Sequence, residues 1–178
     1  MIDLKNCTFI IPLRIESEDR MRNVITVLCY LLENFDTKVI VKEVDVESVF
    51  QEAVLPQIQE YLGDSLKKLV HVFERSEDPV FYRMKILNEM IDMVETPVIA
   101  NYDCDVLFKP ETYVESVEMI MEGCDIVYPY GFGEYQKQVF ADDELVSEFL
   151  SNDCDFSILD SKSKMYDAQY GHVQFLKR

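Results

Sequence analysis

Apolar residues recur along this chain in two alternating patterns. Residues 7–13 read Cys-Thr-Phe-Ile-Ile-Pro-Leu, a continuous apolar run of strand length. Residues 17–35 carry Met21, Val24, Ile25, Leu28, Leu31, Leu32 and Phe35 at three- and four-residue intervals, the signature of one helix face, with Ser17 placed to cap it. Residues 38–44 predict a second strand. A helical pattern over 46–62 is interrupted by Pro56, which starts a new helix or kinks one. Residues 66–73 predict a third strand and 79–94 a third helix, with Pro79 at an early position and Leu87, Met90, Ile91 and Val94 on one face.

The next apolar run, 97–107, predicts a fourth strand that ends in Asp103-Cys104-Asp105. Pro110 starts a helix to about residue 122, Gly123 stops it, and 124–128 predicts a fifth strand. Strand and helix thus alternate five times, which predicts an α/β fold: a mostly parallel sheet flanked by helices on both faces, with ligands beyond the carboxyl ends of the strands. After Tyr128 the pattern loosens to a short strand at 137–140, an acidic helix at 142–150 and a last strand at 171–176.

Length and composition predict one globular domain over 1–178, since 48% of residues are hydrophobic and 12% aromatic. A formal charge of −17 argues against nucleic acid and anionic membranes as partners, and no Lys/Arg run offsets it. An anionic ligand would need a bridging cation on such a chain. No stretch has the length of a transmembrane segment, and the N-terminus lacks the pattern of a signal or transit peptide. Five scattered cysteines without a Cys-x-x-Cys pair read as free thiols in a reducing, cytoplasmic setting, and with two histidines they give little support to zinc.

Asp is depleted from strands and costly to bury, so Asp103 and Asp105 at the mouth of one call for a compensating partner. Hard oxygen ligands select Mn²⁺ or Mg²⁺, which keep positions open for phosphate oxygens. The bland alternative is an acidic pair that caps a helix or steadies a loop. Asp153-Cys154-Asp155 repeats the tripeptide in a polar loop and reads as solvated surface. Arg14 ends the first strand after Pro12, and either contacts a nucleotide or forms a salt bridge on an acidic surface. Glu43 and Asp45 end the second strand, where a carboxylate can accept a uracil N–H or simply be a strand-end charge. Arg83 and Lys85 open the third helix, a place that suits an anion or a solvated face. His71 reads as structural, whereas His172, beside Gly171, is a further candidate ligand.

The segments Phe-Ile-Ile-Pro-Leu-Arg, Val-Ile-Val-Lys-Glu-Val-Asp, Tyr-Arg-Met-Lys-Ile-Leu-Asn-Glu-Met and Val-Ile-Ala-Asn-Tyr-Asp-Cys-Asp, in that order and spacing, resemble the nucleotide-binding half of a GT-A glycosyltransferase. The resemblance is to family 2 transferases and to chondroitin polymerase and galactosyltransferase domains; it covers about residues 7–130, with an echo at Tyr170-Gly171-His172. It implies a Rossmann-like GT-A domain that takes a nucleotide-sugar donor, UDP-linked, and a glycan or other hydroxyl acceptor. It also implies that Glu43 holds uracil, that Pro12, Arg14, Arg83 and Lys85 line the nucleotide pocket, and that Asp103 and Asp105 bind Mn²⁺ or Mg²⁺ at the diphosphate, beside which His172 stays a further candidate metal ligand.

Members of that family continue past the last strand into a Gly-rich, aromatic segment and an acidic motif that supplies the general base. Here 131–178 reads as the truncated start of an acceptor-side region, and the catalytic base is unassigned. The chain is then a fragment, a donor-binding module without transfer, or an enzyme whose base comes from elsewhere. A different reading is a phosphohydrolase, because Asp103-Cys104-Asp105-Val106 also resembles the nucleophile loop of haloacid-dehalogenase-like enzymes. Those carry the loop near the domain start, whereas a long ordered stretch precedes it here.

Overall fold

The computed structural model describes residues 1–130, 136–166 and 173–178. Its centre is a six-stranded sheet. Strand β1 (Ile2–Leu13) lies in the middle, with β2 (Phe35–Asp45) and then β3 (Leu69–Arg75) on one side and β4 (Val98–Asn101) on the other, all parallel. Next to β4 comes β8 (Gln174–Lys177), antiparallel, and beyond it β5 (Ile126–Val127). The predicted last strand is therefore no trailing piece: it is inserted between β4 and β5, so that Ile99 and Ile126 both face Leu176.

Helix α1 (Glu18–Asn34) starts where expected, the Ser17 hydroxyl accepting the Arg20 N–H at 3.2 Å. The proline-interrupted segment resolves into a π-helical turn at Phe50–Val54 and α2 (Leu55–Leu62), with Pro56 in the first turn, where its missing N–H costs nothing. A 3₁₀ turn at Gly63–Lys68 takes the first residues assigned to the third strand, and β3 starts at Leu69. Helix α3 (Arg83–Ile91) is shorter than the apolar spacing predicts. The fourth strand likewise ends at Asn101, and residues 102–109 leave the sheet before α4 (Pro110–Met121). Gly123, at φ +120°, ends that helix in a conformation that L side chains rarely adopt.

Two apolar layers sandwich the sheet. Phe9, Ile11, Leu13, Val39 and Val41 pack with α1, α2 and α4 on one face, whereas Ile10, Ile40 and Ile99 pack under Ile86, Leu87 and Met90 of α3 on the other. Beyond α1 lie α5 (Asp143–Ser151), capped by Asp142, and α6 (Phe156–Asp160), whose N-cap Asp155 accepts the Ser157 N–H at 2.9 Å. Asp155 thus has a structural task. A two-stranded ribbon of β6 (Gln136–Val139) and β7 (Ser163–Tyr166) completes this side. No helix among the described residues is long and apolar enough to cross a membrane.

Candidate functional site

The carboxyl ends of β1, β2, β3 and β4 form one edge of the sheet, and the sequence candidates separate there into two groups. Arg14, just past β1, is buried; its Nε donates to the Val44 carbonyl at 2.9 Å, and its terminal nitrogens donate to the carbonyls of Asp78 (3.1 Å) and Pro79 (3.2 Å). Its guanidinium also stands over the Phe81 ring, 5.4 Å from the centroid. Arg14 therefore ties β1 and β2 to the segment before α3, and this holds residues 78–81 out of the helix that their spacing predicts. Pro12 is buried beside it, opposite Lys42.

Glu43 is completely buried. Its carboxylate accepts from the Ser48 hydroxyl at 2.6 Å and the Phe50 N–H at 2.9 Å, and meets His71 Nε2 at 3.2 Å. Burial pushes its pKa up, but the bonds from His71, Ser48 and Phe50 outweigh that and hold it below the ordinary value. The His71 ring stacks on Phe50 at 4.3 Å. Asp45, at the end of β2, accepts the Val46 N–H at 2.7 Å.

The second group gathers beyond β4. Arg83, the first residue of α3, donates to Asp103 at 2.7 Å and to the Asn101 side-chain oxygen at 3.3 Å, and Asn101 in turn donates to Gln174 of β8 at 3.3 Å. This links four residues from three elements into one polar chain. Asp103 is partly buried and Asp105 exposed, with Cys104 buried between them. Burial, then the Asp105 and Asp103 charges, push the Cys104 thiol up to about 11, against a smaller opposing effect of Arg20. Lys85 turns to Glu89 at 3.7 Å, and Glu89 also binds Lys42, so of the two cations it is Arg83 that reaches Asp103. His172 lies outside the described residues.

What fixes the Asp-bearing loop escapes motif reading. Tyr102, buried, donates its hydroxyl hydrogen to the Val106 carbonyl at 2.8 Å and touches the buried Tyr113 hydroxyl. A carbonyl can only accept and each hydroxyl has one hydrogen, so Tyr113 must donate to Tyr102 while accepting the Phe108 N–H at 3.1 Å. Tyr30 of α1 closes the set by donating to the Phe108 carbonyl at 2.8 Å. The loop around Asp103 and Asp105 is thus laced to the core through three tyrosines, whose hydroxyl pKa values burial raises well above the ordinary range. In sequence these are three core aromatics far apart; no local signal announces a shared role.

Among the described residues no group of three or more His, Cys, Asp or Glu side chains gathers to hold a metal. The two carboxylates still fit a hard divalent ion, since Mg²⁺-type sites commonly take one or two carboxylates and complete their shell with phosphate oxygens and water. A separate groove of about 680 Å³ runs between α1, α2 and α5 over Ile25, Cys29, Val146 and Leu150. At its side Tyr61 donates to the Leu150 carbonyl at 2.6 Å.

No protein-family model matches the chain, and no curated protein matches it. Solved structures do, and what they carry is the fold, a Rossmann-like one of GT-A type. The mannosyltransferase PcManGT from Pyrobaculum calidifontis, solved with GDP-Man and Mn²⁺, is similar at a TM-score of 0.50 and 13% identity over 97% of this chain. S. aureus TarS 1-349 is similar at 0.47 and 13% over 94% of it. A putative nucleotide-diphospho-sugar transferase from Desulfovibrio desulfuricans G20 follows at 0.42 and 11% over 69% of it. The chain spans 44%, 59% and 57% of those three, respectively. At these identities the likeness carries the fold, and it rests on the first of them.

Proposed function

We infer that this chain holds the donor of a metal-dependent glycosyltransferase, with a UDP-sugar as donor and a glycan or other hydroxyl compound as acceptor. The observation that carries the reading is the Arg83–Asp103 pair at the carboxyl edge of a GT-A-type sheet, with Asp105 two residues further along the same loop. Asp103 and Asp105 are the hard oxygen ligands for Mn²⁺ or Mg²⁺, with His172 as a further candidate. When bound, such an ion offsets the charge that develops on the departing nucleoside diphosphate. Arg83 balances Asp103 and stands within reach of the same diphosphate. Arg14 shapes the approach to α3, and Glu43 serves the base end by fixing Ser48, Phe50 and His71 rather than by offering an exposed carboxylate. Five free cysteines, four of them buried, support a reducing, cytoplasmic setting.

Thermal unfolding with UDP or GDP, each with and without Mn²⁺, tests this. UDP with Mn²⁺ should raise the melting temperature more than GDP with Mn²⁺, and Asp105→Ala should abolish the rise. A folded sample without any metal-dependent nucleotide shift would refute it. A second reading is a donor-binding module without transfer, since the Arg83–Asp103 pair and its loop account for holding a nucleotide alone. Donor hydrolysis or sugar transfer by the chain itself would rule that module out.

A further inference from the structure

The sheet has an unguarded margin at β3. Among the described residues this strand pairs only with β2, and its other edge faces no strand. Its sequence is Leu69-Val70-His71-Val72-Phe73-Glu74-Arg75, and not one of the seven residues is buried. Proteins usually blunt such edges with a proline, a bulge or a charge in mid-strand. Here the five residues from Leu69 to Phe73 contain no proline, bulge, Lys, Arg, Asp or Glu; His71 at their centre is engaged by Glu43 and Phe50 of its own chain, and the other charges stand at the ends: Lys67 and Lys68 before, Glu74 and Arg75 after.

We propose that β3 pairs antiparallel with β3 of a second copy of this chain, about a two-fold axis at His71. A two-fold antiparallel pair must place some residue opposite its own copy, so the registers can be compared one by one. With the axis at His71, Val70 faces Val72 and Leu69 faces Phe73, and Lys68, the last residue of the 3₁₀ turn that leads into the strand, comes beside Glu74. Apolar meets apolar, and opposite charges meet at both ends of one face. With the axis at Val72, Val70 would instead face Glu74; at Val70, Lys68 would face Val72; at Phe73, Val72 would face Glu74. Each of those sets a charge against an apolar side chain, and one residue of slip moves every side chain to a wrong neighbour.

The other face of the pair brings Lys67 opposite Arg75, but both are exposed and each has an acid of its own, Asp64 at 2.8 Å and Glu77 at 3.4 Å. Lys68 and Glu74 also have partners in their own chain, Asp36 at 2.9 Å and Lys42 at 2.7 Å, so a contact between copies extends existing ion pairs into a network. Val70 packs on the α3 side of the sheet and Leu69 on the α1 side, so both core layers would run on across the axis. The edge calls for a strand that brings an acid beside Lys68 and a base beside Glu74, and a second copy supplies both.

Sedimentation velocity on the 178-residue chain tests the pairing. The wild type should sediment at twice the chain mass. Lys68→Glu alone and Glu74→Lys alone each replace two attractive cross-pairs by two repulsive ones and should raise the dimer Kd by about tenfold or more. An equimolar mixture of the two variants restores both pairs and should re-form the dimer. Because the contacts with Asp36 and Lys42 are not restored by mixing, recovery reports the contact between copies. Val72→Lys, a change at a half-buried position, should also give a monomer, and circular dichroism confirms that each variant is folded. A wild type that stays monomeric at millimolar concentration, leaving the edge to another occupant, would overturn the proposal. So would a dimer indifferent to these substitutions, or variants that fail to recover on mixing.

Discussion

Tyr113→Phe is the sharpest test of how the Asp-bearing loop is held. The substitution keeps the ring, so the packing against Phe9, Tyr30, Phe35 and Tyr102 is retained. What it removes is one oxygen that accepts the Phe108 N–H and donates to Tyr102. The Phe108 amide then has no partner in a partly buried site, and the Tyr102 hydroxyl loses a donor. An unpaired buried donor costs about 1–3 kcal/mol, and the lost acceptor bond at Tyr102 adds little because its own donation to Val106 survives. The expected loss is about 2 kcal/mol, or roughly 4–8 °C in Tm for a domain of this size. Urea unfolding measures the first and calorimetry the second. If the reasoning is right, Mn²⁺-dependent UDP binding also weakens, because residues 102–109 lose their anchor. A variant as stable as the wild type within about 0.5 kcal/mol would refute the tyrosine account.

Other expectations follow from the same geometry. Arg83 and Asp103 should show a coupling of about 1 kcal/mol or less in a double-mutant cycle on stability, since the pair is only partly buried, while either Arg83→Ala or Asp103→Asn abolishes nucleotide binding; retained binding would separate the pair from function. The native pKa of Glu43 lies below its ordinary 4.5, so its carboxylate stabilises the fold above about that pH and the contribution is lost as pH falls through the native value. The stability gap between wild type and Glu43→Gln should therefore shrink on acidification below 4.5, and a gap that holds constant would contradict the sign. Under native conditions a thiol reagent should label Cys124 alone quickly, because it is exposed and the other four cysteines are buried. Rapid labelling at Cys29 or Cys104, whose thiols burial pushes up to about 12 and about 11, would argue against that packing.

Much of the architecture is legible in the sequence, and the reasons are local. Ser17 caps α1 because its hydroxyl finds its own helix, and the apolar spacing from Met21 to Leu32 is carried within that one helix. The parallel core follows from strand and helix alternation. Features set by distant partners were not legible: α3 starts late because Arg14, far back in the chain, claims the carbonyls of Asp78 and Pro79. The position of β8 depends on which strand leaves an edge free, which no run of apolar residues encodes. The five-residue α6 and four-residue β7 are too short and polar to show a period. At the site, Asp103, Asp105 and Arg83 stood out by charge at strand and helix ends. Tyr30, Tyr102 and Tyr113 looked like ordinary core, since a hydroxyl's partner is invisible in sequence.

The insertion of β8 between β4 and β5 has a consequence for how the chain reaches this shape. Val98 and Lys177 are register partners, so the middle of the sheet closes only when residues 174–177 arrive. Until then β4 is itself a margin, with Ile99 and Ala100 open, Asn101 lacking the Gln174 oxygen, and β5 unable to join at all. A growing chain that has already assembled β1, β2 and β3 must wait, aggregation-prone along β4, for a contact of high sequence separation. Slow folding, and sensitivity to any lesion in four residues far along the sequence from the Asp pair, are built into the order of the strands.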